Sequence, residues 1–319
     1  MSGTAQTTLP RGAISLRFDS DGTECDAWFF AGSDDSPFET DGNRPAVVMA
    51  HGFAGTKDSG LAPFAQRFAD AGLAVFAFDY RGFGCSDGTP RQRVSMTGQA
   101  RDYIAAIDAA ATLPGVDPRR IILWGVSLGA GLVLKVAPRR GDIAAVIAVV
   151  PLVSGIAAGK HARTHVSGAG MARSAVAALG STVAAKIGRP PTMMRVVGYP
   201  GDTDAALSAP GFFESYRAIA GPSWRNEIDA AIGMEIGSFR VGKEAGEIDA
   251  PVLFQIADFD SGAPPEAAAK VAFTARAEVR HYPCDHFDVF AGNDWHEATV
   301  QHEIAFLTRH LIKAGAVTE

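Results

Sequence analysis

The chain has 319 residues, nearly half of them hydrophobic and a fifth charged, with a formal net charge of −6. That length buries a large core, as one big α/β domain or a domain with a sizeable insertion, and the acidic balance argues against nucleic acid or an anionic membrane surface as the main partner. Three scattered cysteines (Cys25, Cys85, Cys284) lack metal-ligand spacing. With no basic-then-apolar leader in residues 1–12 and no apolar run long enough to span a bilayer, the expected location is the cytoplasm.

Residues 13–18 and 24–30 alternate as two strands around Ser20-Asp21-Gly22. The continuous apolar runs 45–50 and 74–78 predict strands buried on both faces, separated by a helix with Leu61, Phe64, Phe68 and Leu73 on one stripe. A helix over 94–113, a strand over 120–124, a helix after Ser127 and a strand over 143–150 follow. Such strict alternation predicts a mainly parallel sheet with helices on both faces. It lapses over 155–247, which reads as largely helical, and resumes with strand 251–257, helix 265–276, strand 278–282 and a final helix over 295–314. The expected organisation is a core in two parts, 1–154 and 248–319, with 155–247 inserted as a helical cap over the carboxyl edge of the sheet, where open α/β sheets bind ligands.

Strand 121–124 runs into Gly125-Val126-Ser127-Leu128-Gly129 and then into small residues that begin a helix. A serine in so sharp a strand-to-helix turn needs neighbours without bulk two residues away, which Gly125 and Gly129 supply, and the turn presents its hydroxyl as a nucleophile. A serine hydroxyl needs a base, and the base needs an orienting acid. His286, in the loop after the last short strand, falls at the same sheet edge. For the acid, the loop after strand 251–257 offers Asp258 and Asp260; no carboxylate occurs over 151–170, where the other usual position lies. Asp260 is the expected acid and Asp258 the runner-up, being nearer the strand end. Asp285 adjoins His286, and adjacent side chains diverge. The backbone N–H groups of Phe53, in His51-Gly52-Phe53-Ala54-Gly55, and of Leu128 are the expected oxyanion donors.

Other histidines carry weaker signals. His51 is expected to order its loop. His161 and His165 have i, i+4 spacing without a third ligand and read as a solvated helix face. His281 lies in a strand, and His296, His302 and His310 lie on the final helix.

These motifs, with Asp79-Tyr80-Arg81-Gly82-Phe83-Gly84-Cys85-Ser86-Asp87-Gly88 and Val116-Asp117-Pro118-Arg119-Arg120-Ile121, resemble the α/β-hydrolase superfamily over about 13–314. Within it the chain looks most like bacterial esterases related to dienelactone hydrolases and to the Xaa-Pro dipeptidyl-peptidase-like group. The resemblance implies the α/β-hydrolase fold and a two-step acyl transfer through an acyl-Ser127, with no cofactor or metal. The implied partner is a small-molecule ester, with lactone or thioester as variants, and a homo-oligomer is compatible. Met171, Met193, Met194, Phe212, Phe213, Tyr216, Trp224 and Phe239 in the insertion point to an apolar acyl or aryl group. Arg195, Arg217, Arg225 and Arg240 read as solvated or salt-bridged. Two alternatives stand: a peptidase or amidase, holding a substrate amine with a carboxylate such as Glu214, Glu227 or Glu235, and a non-catalytic ligand-binding protein on the same fold.

Overall fold

The computed structural model describes residues 9–163 and 168–312. Strands β1 (Ala13–Ser20) and β2 (Thr23–Phe30) form an antiparallel hairpin whose turn holds Asp21 and Gly22 at φ 51° and 79°, matching the twist of the strands they join. Then follow β3 (Arg44–Ala50), α1 (Leu61–Asp70), β4 (Ala74–Phe78), α2 (Met96–Ala111), β5 (Val116–Val126), α3 (Leu128–Val136) and β6 (Ile143–Val149). Ser95 caps α2 by accepting a hydrogen bond from the Gly98 amide.

Between β6 and the next strand of the main sheet the chain forms α4 (Gly155–Ala162), α5 (Gly168–Lys186), β7 (Met193–Val197), β8 (Ala205–Leu207), α6 (Phe212–Ile219), β9 (Ile228–Asp229), α7 (Ile232–Ser238) and α8 (Gly242–Gly246). The strands make a separate three-stranded sheet in the order β8-β7-β9. Hydrophobic periodicity signals only the helices here, because strands of two to five residues are too short to leave a legible alternation. The core resumes with β10 (Val252–Ala257), α9 (Pro265–Thr274), β11 (Glu278–Tyr282) and α10 (His296–Leu311).

The main sheet has eight strands in the order β1-β2-β4-β3-β5-β6-β10-β11. Only the β1–β2 and β2–β4 pairings are antiparallel; from β4 to β11 all are parallel. Every residue of β4 and β10 is buried, so both faces are covered. One group of helices, α1 and α10, touches; α2 and α3 form another, joined through α8 to α9. This is the α/β-hydrolase architecture expected from the sequence. The carboxyl ends of β3, β5, β10 and β11 share one edge, and the loops leaving them carry His51, Ser127, Asp260 and His286.

Candidate active site

Ser127 sits between β5 and α3 at φ 58° and ψ −118°, a conformation that an L-residue adopts only under constraint. Its amide donates to the Val149 carbonyl at 2.8 Å, and its own carbonyl accepts from Leu152 at 3.0 Å. The flanking glycines are required by contact. A Cβ at Gly125 would lie 2.4 Å from the Gly129 carbonyl carbon, and one at Gly129 would lie 2.6 Å from the His51 carbonyl oxygen.

His286, in the loop after β11, is buried, and its Nδ1 lies 2.7 Å from Asp260 Oδ2. A carboxylate only accepts, so Nδ1 carries the proton and Nε2 is left as the basic atom. Asp260 is itself held: Oδ1 accepts from the amides of Gly262 at 2.8 Å and Ala263 at 2.5 Å. Burial disfavours the His286 imidazolium, but the charge and hydrogen bond of Asp260, helped by Asp285, outweigh it and raise the ring's pKa above its usual 6.5. Asp258 is turned away from this pair. Its Oδ1 meets His281 Nδ1 at 2.6 Å on the half-exposed outer side of the loop. Asp285 does not reach the His286 ring; it takes the Ser261 amide and hydroxyl, at 2.7 and 2.9 Å, and so clamps the Asp260 loop to the His286 loop.

Ser127, His286, Phe53 and His51 line one cavity of about 430 Å³. Among the described residues no hydrogen bond joins Ser127 Oγ to the His286 ring, an open geometry common in unliganded sites. The amides of Phe53 and Leu128 likewise have no acceptor among the described residues, so both donors are unspent. The Phe53 loop is fixed from two sides. His51 Nδ1 donates to the Gly52 carbonyl at 2.9 Å, while burial lowers the pKa of that ring and keeps it neutral. From the insertion, the Tyr216 hydroxyl on α6 donates to the Phe53 carbonyl at 2.5 Å, and the next residue, Ala54, is held at φ 51°.

The rest of the cavity wall is mostly small and apolar, with Ala158, Ala162, Ala178, Ala205, Ala209, Met194, Leu207, Phe212 and Ile232 among its residues and a few serines between them. No Asp, Glu, Lys or Arg occurs in the described lining. Glu235 instead accepts from the Met96 amide, Arg195 pairs with Asp202 and Asp204, and Arg225 with Glu227. His161 lies on the cavity wall rather than on a solvated face, because α4 turns that side inward. His165 and the Met171 side chain lie outside the described residues.

A family model described as serine aminopeptidase, S33, matches residues 41–287, which span the turn at Ser127 and both loops of the His286–Asp260 pair. The chain belongs to this α/β-hydrolase family. Quorum-quenching protein AidA of Acinetobacter baumannii (strain MDR-ZJ06) is 33% identical over 310 residues, 96% of this chain and 98% of its own. Thiohydrolase aneE of Aspergillus aculeatus is 39% identical over 111 residues, 35% of each chain. The crystal structure of the α/β hydrolase GrgF from Penicillium sp. sh18 superimposes with a TM-score of 0.78 at 23% identity, covering 95% of this chain and 99% of that one.

Three further features of this hydrolase escape sequence reading. Tyr216 is one aromatic among many in the insertion, and nothing in its spacing signals its bond to Phe53. Asp26, Asp79 and Cys85 bring potential metal ligands within 4.8 Å of one another, yet Lys57 Nζ already meets Asp26 at 2.5 Å and Asp79 at 2.7 Å. Burial opposes the Lys57 charge, but the two carboxylates more than offset it, and the ion cluster pins the loop after β4. Behind the site, fully buried Glu303 accepts from Trp124 Nε1 at 2.9 Å; burial pushes its carboxyl up to about 8, so it is neutral at pH 7. Cys284 is undistinguished chemically, since burial pushes its thiol up to about 12.

Proposed function

We propose that the protein is a serine hydrolase of carboxylic esters or thioesters with an apolar acyl group. The observation that carries this reading is the buried His286–Asp260 pair opening, with Ser127, onto a cavity whose described lining is mostly apolar and holds no Asp, Glu, Lys or Arg. Ser127 Oγ attacks the acyl carbonyl while His286 Nε2 takes its proton, and Asp260 holds the ring and stabilises the imidazolium. The Phe53 and Leu128 amides receive the oxyanion, with Tyr216 and His51 fixing the loop that carries Phe53. His286 then protonates the departing alcohol or thiol, and afterwards takes a proton from the water that releases the acid.

The insertion, 155–247, acts as the cap: it supplies most of the acyl-binding wall, while the two core segments, 1–154 and 248–319, supply the chemistry. A cavity of this size lies within the range that encloses a small-molecule ligand. The name thiohydrolase on one relative supports a thioester as readily as an oxygen ester.

An aminopeptidase needs a buried carboxylate for the substrate's α-ammonium, because an unpaired charge in an apolar pocket is strongly disfavoured. The described lining offers none, which favours acyl esters over peptides. The test is a substrate panel: p-nitrophenyl esters, acyl thioesters and aminoacyl p-nitroanilides at matched concentrations. Ester or thioester kcat/KM exceeding that of the anilides by at least about 10³ supports the reading. Comparable or greater anilide turnover overturns it, and binding of an acyl compound with no turnover would make this a binding protein.

A further inference from the structure

Helix α5 is built inside out. Its inward positions are small or polar: Ser174 and Ala178 line the cavity, and Ser181 Oγ donates to buried Asp229 at 2.5 Å while accepting from the Thr192 amide at 3.0 Å. Its outward positions carry the larger apolar side chains. Val176, Leu179 and Val183 are 72%, 58% and 48% exposed, and Ile187, one residue beyond the helix, is 61% exposed. At about 100° per residue these four fall on one stripe, the reverse of the pattern by which a surface helix buries its apolar face.

Charge identifies what covers the stripe. From residue 151 to 201 the chain has no Asp or Glu and six Lys or Arg, although its overall formal charge is −6. On the helical wheel Arg173 flanks the stripe beside Val176, Lys186 flanks it beside Leu179, and Arg189 follows just past the helix. All three are exposed, and among the described residues none pairs with a carboxylate. A second copy is a poor occupant. Antiparallel packing of two α5 stripes about a two-fold axis would bring Arg173 of one copy against Lys186 and Arg189 of the other, with no acid to separate them. An apolar stripe bordered by cations suits the boundary of an anionic bilayer, where headgroups meet the cations and acyl chains receive the stripe.

We propose that α5 is a peripheral docking surface for anionic phospholipid membranes, lying in the interface plane with Val176, Leu179, Val183 and Ile187 directed into the lipid. No helix among the described residues is long and apolar enough to cross a membrane, so the association is peripheral and reversible. The formal charge of the whole chain averages over this surface, because the run 151–201 holds six Lys or Arg and no Asp or Glu while the rest of the sequence carries all 35 acids. Since Ser174, Ala175 and Ala178 of the same helix line the cavity, docking would place the cavity wall next to the lipid.

The experiment is vesicle flotation of the full-length protein with phosphatidylcholine alone and with equimolar phosphatidylcholine and phosphatidylglycerol. The proposal predicts at least tenfold greater partitioning to the anionic vesicles, largely lost in about 0.5 M salt. Leu179→Ser/Val183→Ser should lower partitioning at least tenfold, and Lys186→Glu/Arg189→Glu at least about twenty-five-fold, at roughly fivefold per cation removed. Both variants should retain wild-type thermal melting and wild-type turnover of a soluble short-chain ester. Equal binding to neutral and anionic vesicles, or none to either, overturns the proposal. So does sedimentation equilibrium that shows a dimer lost in Leu179→Ser/Val183→Ser, which would give the stripe to a second copy. The lipid readout is independent of catalysis, so an inactive protein that still binds anionic vesicles would refute the hydrolase reading alone.

Discussion

The sheet edge and the insertion solve opposite problems within a few ångströms of each other. At the edge, polar groups are fixed in chains: Asp260 by two amides, His286 by Asp260, the loop between them by Asp285, and the Phe53 loop by His51. In the insertion, the wall facing the same cavity is largely alanine, isoleucine and methionine, with few directed bonds. Under the proposed function, the difference means that the chemistry is held by geometry and the choice of substrate by volume. Substitutions at the edge should therefore change rate, and substitutions in the insertion should change which acyl group is accepted.

The largest separation is expected between the two candidate acids. Asp260→Asn should lower kcat by about 10⁴-fold, because the amide no longer holds the productive tautomer. The same change has a signed effect on pH. The base works when neutral, so wild-type kcat/KM falls as pH drops through a His286 pKa raised above 6.5. Without the Asp260 charge, burial is opposed only by the weaker field of Asp285, and the residual activity should keep its plateau to lower pH. Asp258→Asn, in the exposed pair with His281, should change kcat/KM less than about twofold, within the range of a surface ion pair. A pH–rate profile of both variants decides the ranking.

Tyr216→Phe tests whether the insertion also reaches into the chemistry. Losing the bond to the Phe53 carbonyl should lower kcat by about tenfold with little change in KM for a short ester, as expected when an oxyanion donor is misplaced. A rise in KM alone would confine Tyr216 to the acyl wall. Ala178→Leu should do the reverse, leaving kcat for a short acyl ester near wild type while lowering kcat/KM for a long one by about tenfold. The smallest effect on activity is expected behind the sheet. Glu303 is neutral in the fold with its pKa raised to about 8, so its contribution to stability is complete below about pH 4.5 and is lost as pH rises through about 8. Glu303→Gln should remove that loss: melting near pH 5 should be similar to wild type, and the variant should be more stable near pH 9 by a few kcal/mol.

The sheet was legible in sequence because buried parallel strands are uninterrupted apolar runs and their connecting helices repeat at 3.6 residues. Ser127 was legible for a steric reason: Gly125 and Gly129 each face backbone within 2.6 Å, a clearance that leaves a mark on the sequence. Distance from the strand end is the only sequence signal that separates Asp260 from Asp258; in the structure Asp260 meets His286 and Asp258 meets His281. The insertion was legible as an interruption but not in its parts. Its strands are too short for periodicity, its cavity is lined by residues that would suit any helix packing, and the Tyr216–Phe53 bond spans 163 positions. The exposed stripe on α5 was hidden for the same reason: sequence shows that a helix face is apolar, not which way it faces.

The central claim is that Ser127 is activated by the His286–Asp260 pair. The direct measurement is intact mass and peptide mapping after exposure to an alkyl fluorophosphonate, with Ser127→Ala and His286→Ala in parallel. The account predicts one adduct per chain on wild type, mapped to Ser127, none on Ser127→Ala, and labelling slowed by orders of magnitude on His286→Ala. A folded wild-type protein that stays unlabelled, or an adduct that persists in Ser127→Ala, would contradict it.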